Sequence, residues 1–301
     1  MHSELVTIRD YIRWAASEFN RAELFFGHGT EQAWDEAVFL VTAGVHLPWD
    51  VDREVLDARL TKPEQQVLFN LIERRVKERI PAPYLVGHAW FAGAKFLVNE
   101  NVLIPRSPIG ELIEQAYEPW VHEPPLRVLD MCTGSGCIGL ATAMVFDQAQ
   151  VDLVDISPEA LAVAKQNIQY HDLDYRVQAI ESNLFAELSP EGQYDLIVSN
   201  PPYVDQEDFD DMPSEFHHEP ELGLVSGNDG LDACREILRS APDYLSDDGL
   251  LIVEVGNSAG ALQEAYPQAD FTWLEFERGG HGVFLLRKAQ LQRLQSVFAA
   301  P

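Results

Sequence analysis

Positive charge is what this chain has least of. Its 301 residues carry 21 Lys and Arg against 49 Asp and Glu, a net charge of −28. A field of that sign repels phosphate backbones, whereas nucleic-acid readers present a basic face. A direct nucleic-acid substrate is therefore not expected. The same field attracts a basic protein and speeds the encounter, or it serves only solubility or a salty habitat. Cysteine is scarce as well. Cys132, Cys137 and Cys234 are odd in number and lack ligand-like partners. That excludes a disulfide framework and a cysteine metal site, and fits a reduced, cytoplasmic compartment. No apolar stretch is long enough to cross a bilayer, so no membrane partner is expected. Met1–Asp10 mixes charged and apolar residues, unlike a signal peptide. Repeats and low-complexity tracts are missing too. What is present is a 46% apolar content, enough for a real core in one large domain or two smaller ones.

The chain changes character twice. Residues 4–80 read as helical, with Ile8, Tyr11, Ile12 and Ala15 at helical spacing and Val38, Leu40 and Val41 further on. Thr61-Lys62-Pro63-Glu64 signals a helix start, with Thr61 or Lys62 near the cap and Pro63 in the first turn. That helix is expected to run to about Ile80, where Pro81 and Pro83 stop it. Residues 84–104 are β-rich and punctuated by Gly87 and Gly93, which predicts a hairpin. The rigid loop Ile104-Pro105-Arg106-Ser107-Pro108 follows, and its two prolines aim Arg106 as a candidate for steering an anion or substrate. From Leu126 strands and helices alternate: strands at 126–130, 151–155, 175–180, 194–199 and 250–255, helices at 137–146, 158–170, 231–244 and 259–266. Segments 271–276 and 282–286 then lie close together with no helix between them. This order predicts an α/β fold, a parallel sheet with helices on both faces closed by an antiparallel hairpin. The expected division is a helical substrate-recognition domain over 1–83, a hairpin linker over 84–110 and a catalytic domain over 111–301.

Two stretches carry chemistry. In the first, Asp195–Ser199 reads as a buried strand that stops at Asn200-Pro201-Pro202-Tyr203, because two prolines cannot extend a sheet ladder. Ligands of open α/β sheets bind at that edge. The Asn200 side-chain oxygen and the Pro201 carbonyl can accept both hydrogens of a planar NH2 group, and Tyr203 can cover its face. Such a pocket takes an amide or an exocyclic amine and holds a carboxylate badly. A simple turn is the other reading of the same residues.

In the second, Asp130-Met131-Cys132-Thr133-Gly134-Ser135-Gly136 ends a strand and opens a helix. Its glycines admit a close ligand, and the helix start offers free N–H groups. Asp155, at the end of the next strand, is placed to accept from two ribose hydroxyls. Gly134, Gly136 and Gly139 also match a dinucleotide spacing. Four residues intervene between strand and first glycine, however, and Asp130 would face a pyrophosphate badly. The two acids instead favour the cationic S-adenosylmethionine.

These motifs together resemble the class I S-adenosylmethionine-dependent methyltransferases, and the tetrapeptide at 200–203 their amino-methylating branch. Ile104–Leu112 (IPRSPIGEL), the pair Glu219-Pro220, and the helical N-terminal part with its hairpin look like the protein-(glutamine) methyltransferases. PRSPIGEL, NPPYV, HEPELGL and GGHGVF look most like the branch acting on large-subunit ribosomal protein three, a basic protein substrate. The alternatives are the release-factor branch and a nucleic-acid amino-methyltransferase; a nicotinamide oxidoreductase or a non-catalytic nucleotide-binding module stands further off. The resemblance implies a Rossmann-like, seven-stranded, mostly parallel sheet. It implies that Thr133–Gly136 line the methionine part of S-adenosylmethionine, that Asp155 holds the ribose, and that Asn183 and Leu184 edge the adenine. The usual glycine at the start of the cofactor loop is Cys132 here.

One acidic stretch is ambiguous by sequence. Asp205–Glu221 holds eight carboxylates and no Lys or Arg, and reads either as a mobile lid gripping a basic protein or as a solvated loop. The pair His217-His218 is not read as a metal site, because adjacent histidines point apart and no cysteine lies near.

Overall fold

A computed structural model describes residues 4–190 and 193–299. The chain divides into two compact units. The first contains residues through Ala89, then 98–100, and also Pro213–Glu219; the second contains the remainder.

The first unit is built on helices α1 (Ile8–Arg21), α2 (Ala33–Gly44), α3 (Lys62–Glu78) and α4 (Ala82–Val86). The expected cap at Thr61 is present: its hydroxyl accepts from Glu64 N while the Glu64 carboxylate accepts from Thr61 N, a reciprocal capping box. Helix α3 ends two residues early, at Glu78, because Arg79 turns left-handed with φ 57°. The chain leaves the helix over 79–81, as expected before Pro81, and a new short helix then begins. A proline in a first turn loses no hydrogen bond, so α4 begins at Ala82 and takes up Tyr84, which the composition had assigned to a strand. Tyr11, Ile12, Phe19, Leu40, Leu68 and Ile72 form the apolar core of this unit.

The same unit holds a buried ionic cluster. Arg75 Nε donates to Glu36 Oε1 at 2.6 Å, its Nη2 donates to the Phe25 carbonyl at 2.9 Å, and Glu215 lies 3.5 Å from Nη1. Glu215 also accepts from Phe25 N at 3.0 Å and from Arg79 at 2.9 Å. Two of the eight carboxylates of the acidic stretch, Glu215 and Glu219, are thus buried rather than solvated. The stretch opens as a short helix over Gln206–Asp210 rather than as loop. His218 Nε2 lies 2.9 Å from the Glu78 carbonyl.

The second unit takes up half of β1 (His88–Phe91) and all of β2 (Ala94–Leu97), α5 (Ile109–Glu114), β3 (Arg127–Met131), α6 (Cys137–Val145), β4 (Gln150–Asp155), α7 (Pro158–Tyr170), β5 (Val177–Glu181), β6 (Tyr194–Ser199), α8 (Gln206–Asp210), α9 (Asp232–Tyr244), β7 (Leu245–Glu254), α10 (Ala259–Ala265), β8 (Thr272–Trp273), β9 (Val283–Arg287), α11 (Lys288–Arg293) and α12 (Gln295–Phe298). Strands β1 and β2 form the expected hairpin, turning at Ala92 and Gly93, both with positive φ. That is the backbone a two-residue turn needs to match strand twist. The other seven strands make one sheet in the order β5-β4-β3-β6-β7-β9-β8. All neighbours are parallel except those of β9, which runs against β7 and β8. The parallel sheet and its closing antiparallel pair therefore match expectation. Helices α5, α11 and α12 carried no periodicity long enough to announce them. Apolar residues cover both sheet faces, Leu129, Ile197 and Leu251 on one, Val128, Leu196 and Ile252 on the other. This is why β3, β6 and β7 read as continuous apolar runs.

Gly139 shows how tightly α6 lies on the sheet. A Cβ built there would stand 2.2 Å from Leu153 Cδ2 and 2.8 Å from Asp130 Cβ. Gly139→Ala is therefore expected to destabilise the protein by about 1–3 kcal/mol, the usual result of overpacking. A chemical denaturation curve with an unmoved midpoint would contradict this. Among the described residues, no helix is long and apolar enough to cross a membrane.

Candidate functional site

Register brings the site together. Met131 lies beside Val154 on one side and Ser199 on the other, and Asp155 pairs with Glu181. Strands β3, β4, β5 and β6 therefore release Cys132, Asp155, Asn183 and Asn200 at one sheet edge. A cleft of about 920 Å³, counted to its open mouth, lies there. Its lining includes Cys132, Thr133, Gly134, Ser135, Asp155, Asn183, Leu184, Asn200, Pro202 and Arg106. Four residues named from sequence do not line it: Asp130, Gly136, Pro201 and Tyr203.

The loop after β3 is held from beneath. Asp130 is fully buried, and its Oδ2 accepts from Thr133 Oγ1 at 2.5 Å and from Gly139 N at 2.8 Å. The carboxyl thus ties the loop to the start of α6 instead of facing a ligand. Burial, with the neighbouring Asp155 adding to it, pushes its pKa up to about 7, against the pull of those two bonds. Gly136 caps α6 at φ 83° and packs towards Leu140 and Leu153. Gly134 at φ 55° has open space where a side chain would stand. Cys132 takes the left-handed conformation, φ 59°, that a glycine adopts without strain.

Asp155 is half-engaged. Its Oδ2 accepts from Gly134 N at 2.8 Å and its Oδ1 from Ser157 N at 3.0 Å. Each carboxylate oxygen keeps a second lone pair, so two further donors can be taken from the cleft. Burial raises the pKa of this group. Asn167 escaped the sequence reading. Fully buried on α7, it donates to the Ser135 carbonyl at 2.8 Å and exchanges two bonds with the Leu97 backbone, 2.7 and 3.0 Å. No local motif marks a single asparagine on a helix face.

At the end of the neighbouring strand β6, Asn200 Oδ1 is buried and has no hydrogen-bond partner, and neither has Ser135 Oγ in the loop after β3. A buried acceptor without a partner costs about 1–3 kcal/mol, and such groups in native proteins call for an explanation. A ligand N–H filling the cleft supplies one. Tyr203 faces elsewhere: its hydroxyl donates to Glu254 Oε1 at 3.0 Å. The Arg106 guanidinium donates to the Ile104 carbonyl at 3.2 Å and lines the cleft.

Residues 120–227 match the methyltransferase small domain family. The chain is 48% identical over 298 residues to the ribosomal protein uL3 glutamine methyltransferase of Francisella tularensis subsp. tularensis, covering 98% of this chain and 95% of that one. It is 46% identical over 290 residues to the ribosomal protein uL3 glutamine methyltransferase of Bordetella pertussis, covering 96% and 97%. Among solved structures, the hMettl16 catalytic domain in complex with MAT2A 3'UTR hairpin 6 superposes with a TM-score of 0.51 at 15% identity, covering 79% of this chain and 86% of that one. That likeness concerns the fold alone, the class I methyltransferase sheet.

Proposed function

We infer that the chain, which belongs to the ribosomal protein uL3 glutamine methyltransferase family, methylates the side-chain amide nitrogen of a glutamine in ribosomal protein uL3, with S-adenosylmethionine as the donor. The observation that carries this reading is the buried, partnerless Asn200 Oδ1 at a cleft that a glycine loop and an acidic strand end also line.

The residues present suit that cofactor. Asp155 has lone pairs left for ribose hydroxyls, Asn183 and Leu184 stand after β5 to edge the adenine, and the loop from Cys132 to Gly136 offers its open face at Gly134. When bound, S-adenosylmethionine supplies a methyl group on a sulfonium. The protein's own part is positioning. An amide nitrogen is a poor nucleophile because its lone pair is delocalised. Asn200 Oδ1 accepts one of its hydrogens, which orients the amide and aims the nitrogen into the cleft. The same oxygen stabilises positive charge as it develops on nitrogen. Glutamate is rejected, because it has no hydrogen to give and sets its charge against a buried acceptor. Arg106 and Pro202 complete the substrate side. The acidic chain draws in the basic ribosomal protein, in the cytoplasm, and no nucleic acid is bound directly.

The test is methyl transfer from labelled S-adenosylmethionine to purified uL3, to release factors and to ribosomal RNA, with the product mapped by mass spectrometry. Label on a uL3 glutamine is expected. Label only on a release factor or on RNA would refute the reading. Asp155→Ala is expected to raise the dissociation constant of S-adenosylhomocysteine by about 10–100-fold, the worth of one or two hydrogen bonds to a charged acceptor. Unaltered affinity in calorimetry would remove Asp155 from the site.

A further inference from the structure

The motifs around residues 107, 203, 256 and 282 are not used by the site as described, yet they meet at one carboxylate. Glu254 is the last residue of β7, one past the Ser199–Val253 pair, and so stands level with Asn200 on the neighbouring strand. Its side chain is buried. Oε2 accepts from Ser107 Oγ at 2.5 Å and Oε1 accepts from the Tyr203 hydroxyl at 3.0 Å. Ser107 Oγ in turn accepts from Ile109 N at 3.1 Å, fixing the start of α5.

Tyr203 is partly buried and held at several points. Its carbonyl accepts from Ser258 Oγ at 2.7 Å and its N–H donates to the Leu224 carbonyl at 3.1 Å. A Cβ on Gly256 would stand 2.6 Å from its ring, and one on Gly230 would clash with its carbonyl oxygen. Gly282 lies behind Gly256: a Cβ there would clash with the Gly256 backbone, and its own carbonyl accepts from Val255 N at 2.7 Å. Held at its carbonyl, its N–H and its hydroxyl, Tyr203 is a strut rather than a cover for a substrate.

We propose that Glu254 is a positioning residue for the methyl-accepting amide: by taking the Ser107 and Tyr203 hydroxyls it clamps the loop carrying Arg106 to the turn carrying Asn200, and so holds the Asn200 acceptor at the wall of the cleft. This rests on the assignment of Asn200 as the amide-binding group. A carboxylate suits the task because it accepts from two hydroxyls at once and, being buried, binds them firmly. A glutamine there accepts with its oxygen and donates with its nitrogen to the second hydroxyl oxygen, so it preserves the clamp. A leucine removes it.

The experiment compares Glu254→Leu, Glu254→Gln, Tyr203→Phe and the double variant Glu254→Leu/Tyr203→Phe, with uL3 as substrate. Glu254→Leu is expected to lower kcat about 100-fold, the cost of an ångström-scale misplacement. The dissociation constant of S-adenosylhomocysteine stays near that of the wild type. Glu254→Gln recovers most of that loss. Tyr203→Phe, which deletes one oxygen and keeps the fold, lowers kcat as well, and adds nothing in the Glu254→Leu background. A Glu254→Leu variant with wild-type kcat, a Glu254→Gln variant as impaired as Glu254→Leu, or additive losses in the double variant would overturn the proposal. Wild-type protein that transfers no methyl to uL3 overturns the assigned reaction instead.

Discussion

Replacing Asn200 with alanine should lower kcat about 100–1,000-fold, the range seen when one pre-aimed polar group is removed from a reacting centre. The affinity for S-adenosylhomocysteine should stay within a factor of about three, less than one hydrogen bond is worth. The contrast follows from where the residue sits. Asn200 leaves β6 beside Ser199, whose hydroxyl is tied to the Met131 carbonyl at 2.7 Å, so the backbone there is fixed whatever side chain follows. The cofactor loop has its own anchors in Asp130 and Asn167. Truncation at 200 therefore removes an acceptor without loosening that loop. Single-turnover methyl transfer beside calorimetry with S-adenosylhomocysteine separates the two quantities. Turnover at the wild-type rate would end the pocket assignment, and lost affinity would move Asn200 to the cofactor side.

A second large effect is expected far from the chemistry. Arg75→Met should destabilise the helical unit by about 3–5 kcal/mol, the usual result of removing one partner from a buried ionic cluster. The guanidinium is fully buried between Glu36 and Glu215, themselves buried. Methionine fills much of the volume and leaves both carboxylates facing each other's charge. Glu215 adds a pH signature. Burial alone would raise its pKa, but bonds from Phe25 N and Arg79 and the charge of Arg75 outweigh that and hold it below the ordinary carboxylate value. A depressed carboxylate stabilises the fold above its unfolded pKa and loses that contribution as pH falls through the folded one. Without Arg75 the folded pKa rises, so acid unfolding of the variant should begin at higher pH. Urea titrations at neutral and mildly acidic pH measure both. Equal stability of variant and wild type would show that the cluster contributes nothing net.

The two buried regions differ in how far they could be read in advance. The cap at Thr61, the Ser157-Pro158 helix start and the stop at Asn200-Pro201 all rest on residues within a few positions of one another, and all are found. The alternation of strands and helices announced a parallel sheet closed by an antiparallel pair for the same reason. Asp130 was placed in the cleft because it ends a strand beside the glycine loop. Its actual partners, Thr133 and Gly139, are local too, but which way a carboxylate points is decided by packing. Asn167, Glu254 and the Arg75–Glu215 pair leave no trace in any short window, since their partners lie 32 to 147 residues away. Neither reading of the acidic stretch, a lid gripping a basic protein or a solvated loop, buries Glu215, because that burial depends on Arg75 and Arg79 far away in the chain.

The segment 213–219 has a consequence for anyone wishing to cut the protein in two. It lies between stretches of the second unit in the gene, yet it is built into the helical one, with Phe216 tilted against both His28 and Phe25. A fragment starting at residue 90 would carry an unburied aromatic and an acid stripped of its guanidinium. Shuffling helical units between relatives would have to transplant both pieces together, because no single scissors point separates them.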